Sequence, residues 1–98
     1  MPRVSRNGDR CRTGHKCTTS APVRASQRSV FANGKPVLRK GDKVKPHTIL
    51  VGIKCLVHPA SVKGSSRKVF AKGIGVARRG DRADKGAMTG ASRDVVAG

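Results

Sequence analysis

The chain has 98 residues, of which 22 are Lys or Arg and 5 are Asp or Glu, giving a formal net charge of +17. It is long enough for one domain, but with two Phe, no Tyr and no Trp it cannot build a large aromatic core. A fold this small needs a metal, a partner surface or both, and the charge indicates an anionic partner, either nucleic acid or a phosphate-rich membrane surface.

A repeated unit runs along the chain, which begins with the closing half of that unit. Residues 4–9 read Val-Ser-Arg-Asn-Gly-Asp. Residues 29–42 contain Val-Phe-Ala, an Asn-Gly pair and then Val-Leu-Arg-Lys-Gly-Asp, and residues 68–81 follow the same pattern without a gap. The last residues, 95–98, read Val-Val-Ala-Gly and match the opening of the unit. The chain therefore holds three units, the third being split between 95–98 and 1–9.

Each unit predicts a short β-hairpin. Val-Phe-Ala is a β-run, Asn33-Gly34 is typical of a type I′ turn, and Gly-Asp ends the returning strand in another turn. A unit split between the two chain ends is what a closed, pseudo-threefold arrangement produces. We therefore predict a single all-β domain over residues 1–98, built from three hairpins.

A long segment, predicted to be a loop, follows each Gly-Asp, at about residues 10–28, 43–67 and 82–94. The first two segments contain every Cys and His of the chain: Cys11, His15, Cys17, His47, Cys55 and His58. Because both leave the same edge of the repeat, these side chains can converge, and His-x-Cys and Cys-x-x-His are workable chelating spacings. We predict one structural metal ion there, with zinc the first choice.

No apolar run is long enough for a signal peptide or a membrane span, which predicts synthesis in the bacterial cytoplasm. Thiols stay reduced in that compartment, so Cys near His indicates metal ligation before disulfide formation. An odd number of Cys also does not suit a complete set of disulfides.

These motifs resemble PAAR repeats over essentially the whole chain. The resemblance is carried by the repeated Val-Phe-x-x-Gly and Arg-x-Gly-Asp segments, by Gly-His-Lys-Cys at 14–17, by His47, and by Cys55-x-x-His58 leading into Gly-Ser at 64–65. It implies a cone of three short β-hairpins whose long loops converge on a metal-bound tip. Such a cone is the non-catalytic, membrane-piercing tip of a contractile phage tail or type VI secretion needle, one chain capping each homotrimeric β-helical spike.

The resemblance also assigns three metal-binding histidines: His15, His47 and His58. The family's usual fourth ligand is a Cys four positions after the third Gly-Asp, where this chain has Lys85. We expect Cys17 or Cys55 to supply the thiolate instead. The alternatives are a site with three protein ligands and a different metal, such as iron.

The base of the cone is expected to bind the spike through apolar side chains of the hairpins: Val30, Phe31, Val69, Phe70, Val95 and Val96. The alternative is that these residues form a thin internal core. The basic surface is expected to meet the outer membrane of the target cell transiently, once the machine carries the tip there.

The competing hypothesis is a zinc-stabilised, basic nucleic-acid-binding protein. Against it stand the scarcity of stacking aromatic residues, the lack of a basic amphipathic helix and the threefold repeat, so no specific nucleic acid is expected. An enzyme is not predicted, because three of the five carboxylates are turn residues of the repeat and no phosphate loop or nucleophile elbow is present.

Overall fold

The computed structural model describes all 98 residues and contains ten strands and no helix, so the predicted all-β class is confirmed. The strands are β1 (Arg10–Arg12), β2 (Ser20–Pro22), β3 (Phe31–Ala32), β4 (Lys35–Pro36), β5 (Lys43–Val51), β6 (Lys54–Ser61), β7 (Phe70–Ala71), β8 (Ile74–Gly75), β9 (Arg82–Ala83) and β10 (Gly86–Met88). The molecule is elongated, with principal extents of 41 × 23 × 21 Å.

The repeat units form tight antiparallel hairpins, β3 with β4 and β7 with β8. Asn33 and Lys72 have φ of 52° and 50°, and the glycines after them have φ of 75° and 80°. Two successive positive φ values are what a type I′ turn requires. In the third unit the Ala97 N–H donates to the Pro2 carbonyl at 3.0 Å, so the chain ends meet where the other units turn.

Three backbone hydrogen bonds join the units in a closed ring. The Ser5 N–H donates to the Ala77 carbonyl at 2.9 Å. The Ala77 N–H donates to the Leu38 carbonyl at 2.8 Å, and the Leu38 N–H returns to the Ser5 carbonyl at 2.9 Å. Each unit is thus both donor and acceptor to its neighbours, which is the pattern of a threefold axis realised within one chain.

Two apolar clusters form the interior. The smaller one is formed by the hairpins themselves: Val4, Ala32, Val37, Ala71, Val76 and Ala97. The larger one packs the segments that follow the hairpins: Cys11, Ala21, Val23, Leu38, Val44, Val62, Ala77, Ala83 and Met88. The threefold relation continues into the larger cluster as three cross-segment pairs: Cys11 with Met88, Val44 with Val23, and Ala83 with Val62.

The segments predicted to be loops each contain a hairpin, which corrects that prediction. β1, β2, β9 and β10 form one four-stranded sheet in the order β2-β1-β10-β9. β5 and β6 form a separate hairpin with strands of nine and eight residues, far longer than any other in the molecule. Residues 48–51 are β-branched or Leu, which favours a strand, and Gly52 (φ 62°) provides the turn. The sequence lacks the alternation of polar and apolar residues that usually marks a strand, so the hairpin was not predicted.

Candidate metal centre

His47 and His58 lie directly opposite each other on β5 and β6. A register shift between Val44 and His47 interrupts the ladder just before this pair. An irregularity of this kind re-aims the side chains that follow it. Cross-strand pairing therefore places two imidazoles side by side at the point where the hairpin leaves the larger apolar cluster.

His15 reaches the same point from the segment between β1 and β2. The buried Thr13 hydroxyl donates to the Thr18 carbonyl at 2.5 Å and closes the loop that carries His15. Gly14, with φ of 79°, lies so close to the backbone of Lys85 that a Cβ there would overlap the Lys85 carbonyl. Only glycine permits both the left-handed conformation and this contact, which brings the third segment of the chain against the first.

Asp84 completes the cluster from the turn between β9 and β10. It has φ of 54°, which Asp tolerates better than most residues. Gly86 follows in a position where a Cβ would overlap the Arg12 carbonyl, so this turn lies flat on β1. The result is a buried carboxylate held at the vertex where all three segments meet.

The four side chains form one compact group. Asp84 Oδ2 lies 2.7 Å from both His15 Nε2 and His47 Nε2, and Asp84 Oδ1 lies 3.1 Å from His58 Nε2. The Nε2 atoms of His15 and His47 are 3.2 Å apart. All four ligand atoms fall within 4.8 Å of one another. Nitrogens bound 2.0–2.1 Å from a tetrahedral centre are about 3.3 Å apart, which the separation of the two Nε2 atoms matches, while the 2.7 Å contacts of Asp84 are hydrogen-bond distances that would lengthen around an ion.

The Nδ1 atoms of His15 and His47 each contact a backbone carbonyl. His47 Nδ1 lies 2.9 Å from the Lys45 carbonyl, and His15 Nδ1 lies 3.2 Å from the Lys16 carbonyl. Because a carbonyl only accepts, Nδ1 is the donor in each of these contacts, and Nε2 of each ring faces Asp84. At these distances a positive charge lies between each Nε2 and the carboxylate, either a proton on the ring or a bound metal ion, and a carbonyl behind the ring is the outer-shell contact usual for metal-binding histidines.

The ionised form of Asp84 is favoured, so this side chain can bind a metal as an anion. Burial works against its charged form, but hydrogen bonding to His58, His47 and His15 outweighs burial and holds the pKa of Asp84 below its ordinary value. Three imidazoles and one carboxylate suit zinc, and the same set is acceptable to iron. The residues present therefore fit a four-ligand structural metal site.

The prediction that Cys17 or Cys55 supplies the fourth ligand is corrected by the structure. The two residues are joined in a disulfide, so neither offers a thiolate. Cys17 is bridged to Ile49 beside β5, and Cys55 is paired with Leu50 across the β5–β6 hairpin. This antiparallel contact brings together two sulfurs that are 38 residues apart in the chain.

Cys11 is a core residue. Its side chain is fully buried, at the position of the repeat that Val44 and Ala83 occupy in the other units. Burial, followed by the nearby charge of Asp84, raises the pKa of the Cys11 thiol. A buried thiol that stays protonated is a weak nucleophile.

The Cys11 thiol is therefore expected to resist iodoacetamide in the native, unreduced protein and to react fully only after denaturation. Peptide mass spectrometry of alkylated samples, with and without guanidinium, checks this. Fast labelling of Cys11 under native conditions would show instead that the larger apolar cluster is open to solvent.

The structure defines a small all-β protein in which three repeated hairpins are followed by segments that meet at one group of three imidazoles and a carboxylate. Comparison with protein-family models agrees: residues 13–91 match the PAAR motif. The chain therefore belongs to the PAAR motif family, a structural family associated with the spike-tip proteins of contractile injection systems. No curated protein matches the chain. The structure has no helix suited to crossing a membrane.

Proposed function

We propose that this chain is the pointed cap of a contractile injection machine, a phage tail or a type VI secretion needle, seated on the blunt end of a homotrimeric β-helical spike. The observation that carries the proposal is the closed threefold ring of hydrogen bonds within one chain. A single chain can bind three identical subunits equally only if it presents three equivalent faces.

The base of the cone offers such faces. Two apolar positions of each hairpin point outward, and all six side chains are at least a third exposed: Val30, Phe31, Val69, Phe70, Val95 and Val96. Phe31 and Phe70 are 53% and 57% exposed. The next position in each unit, represented by Ala32, turns inward to the smaller apolar cluster. Because the six residues are exposed and the inward positions already fill the smaller cluster, a partner-binding role for the six is favoured and a role as an internal core is not.

The metal centre gives the opposite end of each unit its stability. Along the chain, the unit at residues 29–42 and the segment after it pass from Phe31 at the base through Leu38 and Val44 in the larger cluster to His47. The β5–β6 hairpin belongs to a different sheet from the strands beside His15 and Asp84, so one ion bound to His15, His47, His58 and Asp84 would join the two sheets and supply folding free energy at that point. The proposed role is mechanical, with no catalytic step.

The base can be tested by copurification with the trimeric spike protein of the same machine. The Phe31→Asp, Phe70→Asp, Val96→Asp triple variant places one charge on each face and is expected to weaken spike binding by at least about a hundredfold, since three buried apolar contacts are lost. Ile53→Asp, an equivalent change at the other end, is the matched control and should bind as the unmodified chain does. Equal spike binding by both variants would contradict the proposed base.

If the chain instead binds duplex DNA tightly and in a salt-dependent way, while showing no affinity for a spike, the charge would indicate the nucleic-acid-binding role. The net charge of +17 is the only feature that favours that role. The exposed aromatic residues number two, and both lie in the repeat positions of the base.

A further inference from the structure

The β5–β6 hairpin continues well past the histidine pair. Four further cross-strand pairs precede the turn: Thr48 with Val57, Ile49 with Leu56, Leu50 with Cys55, and Val51 with Lys54. We call residues 48–57 the apical hairpin. At about 3.3 Å per residue, it extends on the order of 15 Å beyond His47 and His58.

The apical hairpin exposes apolar side chains on both of its faces. Its large exposed residues are Leu50, Val51, Ile53, Leu56 and Val57. Ile53, at the turn, is 96% exposed and Val57 is 76% exposed. Because successive residues of a strand point to opposite faces, Leu50 and Val51 lie on different sides of the hairpin. Neither face is covered by the rest of the chain, which is an unusual way for a folded protein to leave five large apolar side chains.

The exposed charged residues of the apical hairpin and of the segment beside it are positive, and the Asp84 carboxylate near its base is buried. Residues 43–80 include no Asp or Glu. Lys54 lies in the apical hairpin, Lys16 lies on the segment paired beside β5, and Lys45 lies just below the histidine pair. Apolar residues flanked by Lys are typical of elements that enter the interface of an anionic membrane.

The apical hairpin is also anchored at its base. The Cys17–Cys55 disulfide joins it to the first segment, and the Thr18 and Thr48 hydroxyls share a hydrogen bond of 2.8 Å. The histidine cluster lies immediately below. The apical hairpin is therefore tied to the first segment at its base, while its apolar end stays exposed.

We propose that the apical hairpin inserts into the interfacial layer of a lipid bilayer that carries anionic headgroups. This deepens the proposed function by naming the part of the tip that first meets lipid. A protein partner would cover one face of a hairpin, whereas acyl chains surround both. The lone positive charges favour anionic headgroups over neutral ones, at about 1 kcal/mol for each Lys near the surface.

The depth of insertion is limited by the backbone. β6 pairs only with β5, so its outer edge presents unpaired N–H and C=O groups. Such groups are costly in hydrocarbon but are satisfied by water at the interface. The apical hairpin should therefore reach the boundary between headgroups and acyl chains, about 5–10 Å deep, without spanning the membrane.

The chain has no Trp, so a single Trp introduced at either end reports on its own surroundings. We would place it at Ile53→Trp in the apical hairpin and at Phe70→Trp in the base, using the full metal-loaded chain. Each variant is mixed with vesicles of phosphatidylcholine alone or of phosphatidylcholine with phosphatidylglycerol. The expected result is a blue-shifted emission, quenched by brominated acyl chains, for Ile53→Trp with the anionic vesicles only.

The emission of Phe70→Trp should stay unchanged. An unshifted Ile53→Trp signal would overturn the proposal, and so would a shift of Phe70→Trp, because the base would then be the part that meets lipid. Adding Val57→Asp to Ile53→Trp should lower vesicle affinity at least about tenfold, as one buried side chain is lost. Spike binding, measured separately, decides the proposed function independently: the chain could cap a spike without inserting, or insert without capping.

Discussion

The His47→Ala variant is expected to lose its metal and to melt about 15–30 °C below the unmodified protein. A metal present at a thousand times its dissociation constant stabilises the folded state by about 4 kcal/mol. For a domain of this size, 1 kcal/mol corresponds to roughly 4–8 °C in Tm. Elemental analysis of the purified variants, paired with thermal melting, measures both effects.

Variants at the two residues of the β9–β10 turn provide the controls for this prediction. Asp84→Asn suits the positive φ of that position but removes the charge, so it should lose metal while keeping the turn. Lys85→Ala changes an exposed neighbour and should leave the metal content unchanged. The unmodified protein treated with a chelator should melt close to His47→Ala. A chelator that leaves Tm unchanged would show that the cluster holds no stabilising ion.

Reduction of the Cys17–Cys55 disulfide is expected to lower the free energy of unfolding by about 2–4 kcal/mol, or roughly 10–30 °C in Tm. The reason is the loop of 38 residues that the bond closes, since reduction returns conformational freedom to the unfolded chain. Melting curves with and without dithiothreitol measure the effect.

The Cys17→Ser, Cys55→Ser double variant is the matched control for the disulfide. It should melt like the reduced protein, and dithiothreitol should have no further effect on it. If the double variant melts with the oxidised protein, the bond contributes nothing to stability. Disulfides form mainly in oxidising surroundings, so the bond is expected to be complete in protein handled without reductant.

The hairpin units could be predicted because the repeat carries local turn chemistry. Asn33-Gly34 requires the positive φ values that the structure shows, and Gly-Asp ends each returning strand. In the structure the Asp9, Asp42 and Asp81 carboxylates each accept the backbone N–H three residues earlier. Turns of this kind depend on a few adjacent residues, so they can be predicted from the sequence without knowledge of the rest of the fold.

The convergence of the three histidines could be anticipated from their place after each Gly-Asp, but the role of Asp84 could not. A carboxylate has no characteristic ligand spacing, and Asp84 reaches the cluster only because Gly14 and Gly86 allow close backbone contact. One signal was available. Asp84 is one of two carboxylates outside the repeated Gly-Asp turns, and it is adjacent to Lys85, where the family usually has Cys.

The disulfide and the apical hairpin were missed for a different reason. Cys17 and Cys55 meet through pairing between distant segments, which no local pattern encodes. The residues from Thr48 to Val57 are apolar on both faces, so they lack the alternation that marks a half-buried strand. The apolar residues on both sides of the Gly52 turn, interrupted by one charged residue, Lys54, were a sign of a hairpin whose surroundings are not water.

Native mass spectrometry of the complex with the trimeric spike protein tests the proposal that one chain caps a threefold spike. A single species with one copy of this chain for three spike subunits is expected. Three copies per trimer would contradict it, because the internal threefold repeat would then serve no purpose at the base. The absence of any complex, from chain that is folded and metal-loaded, would contradict it as well.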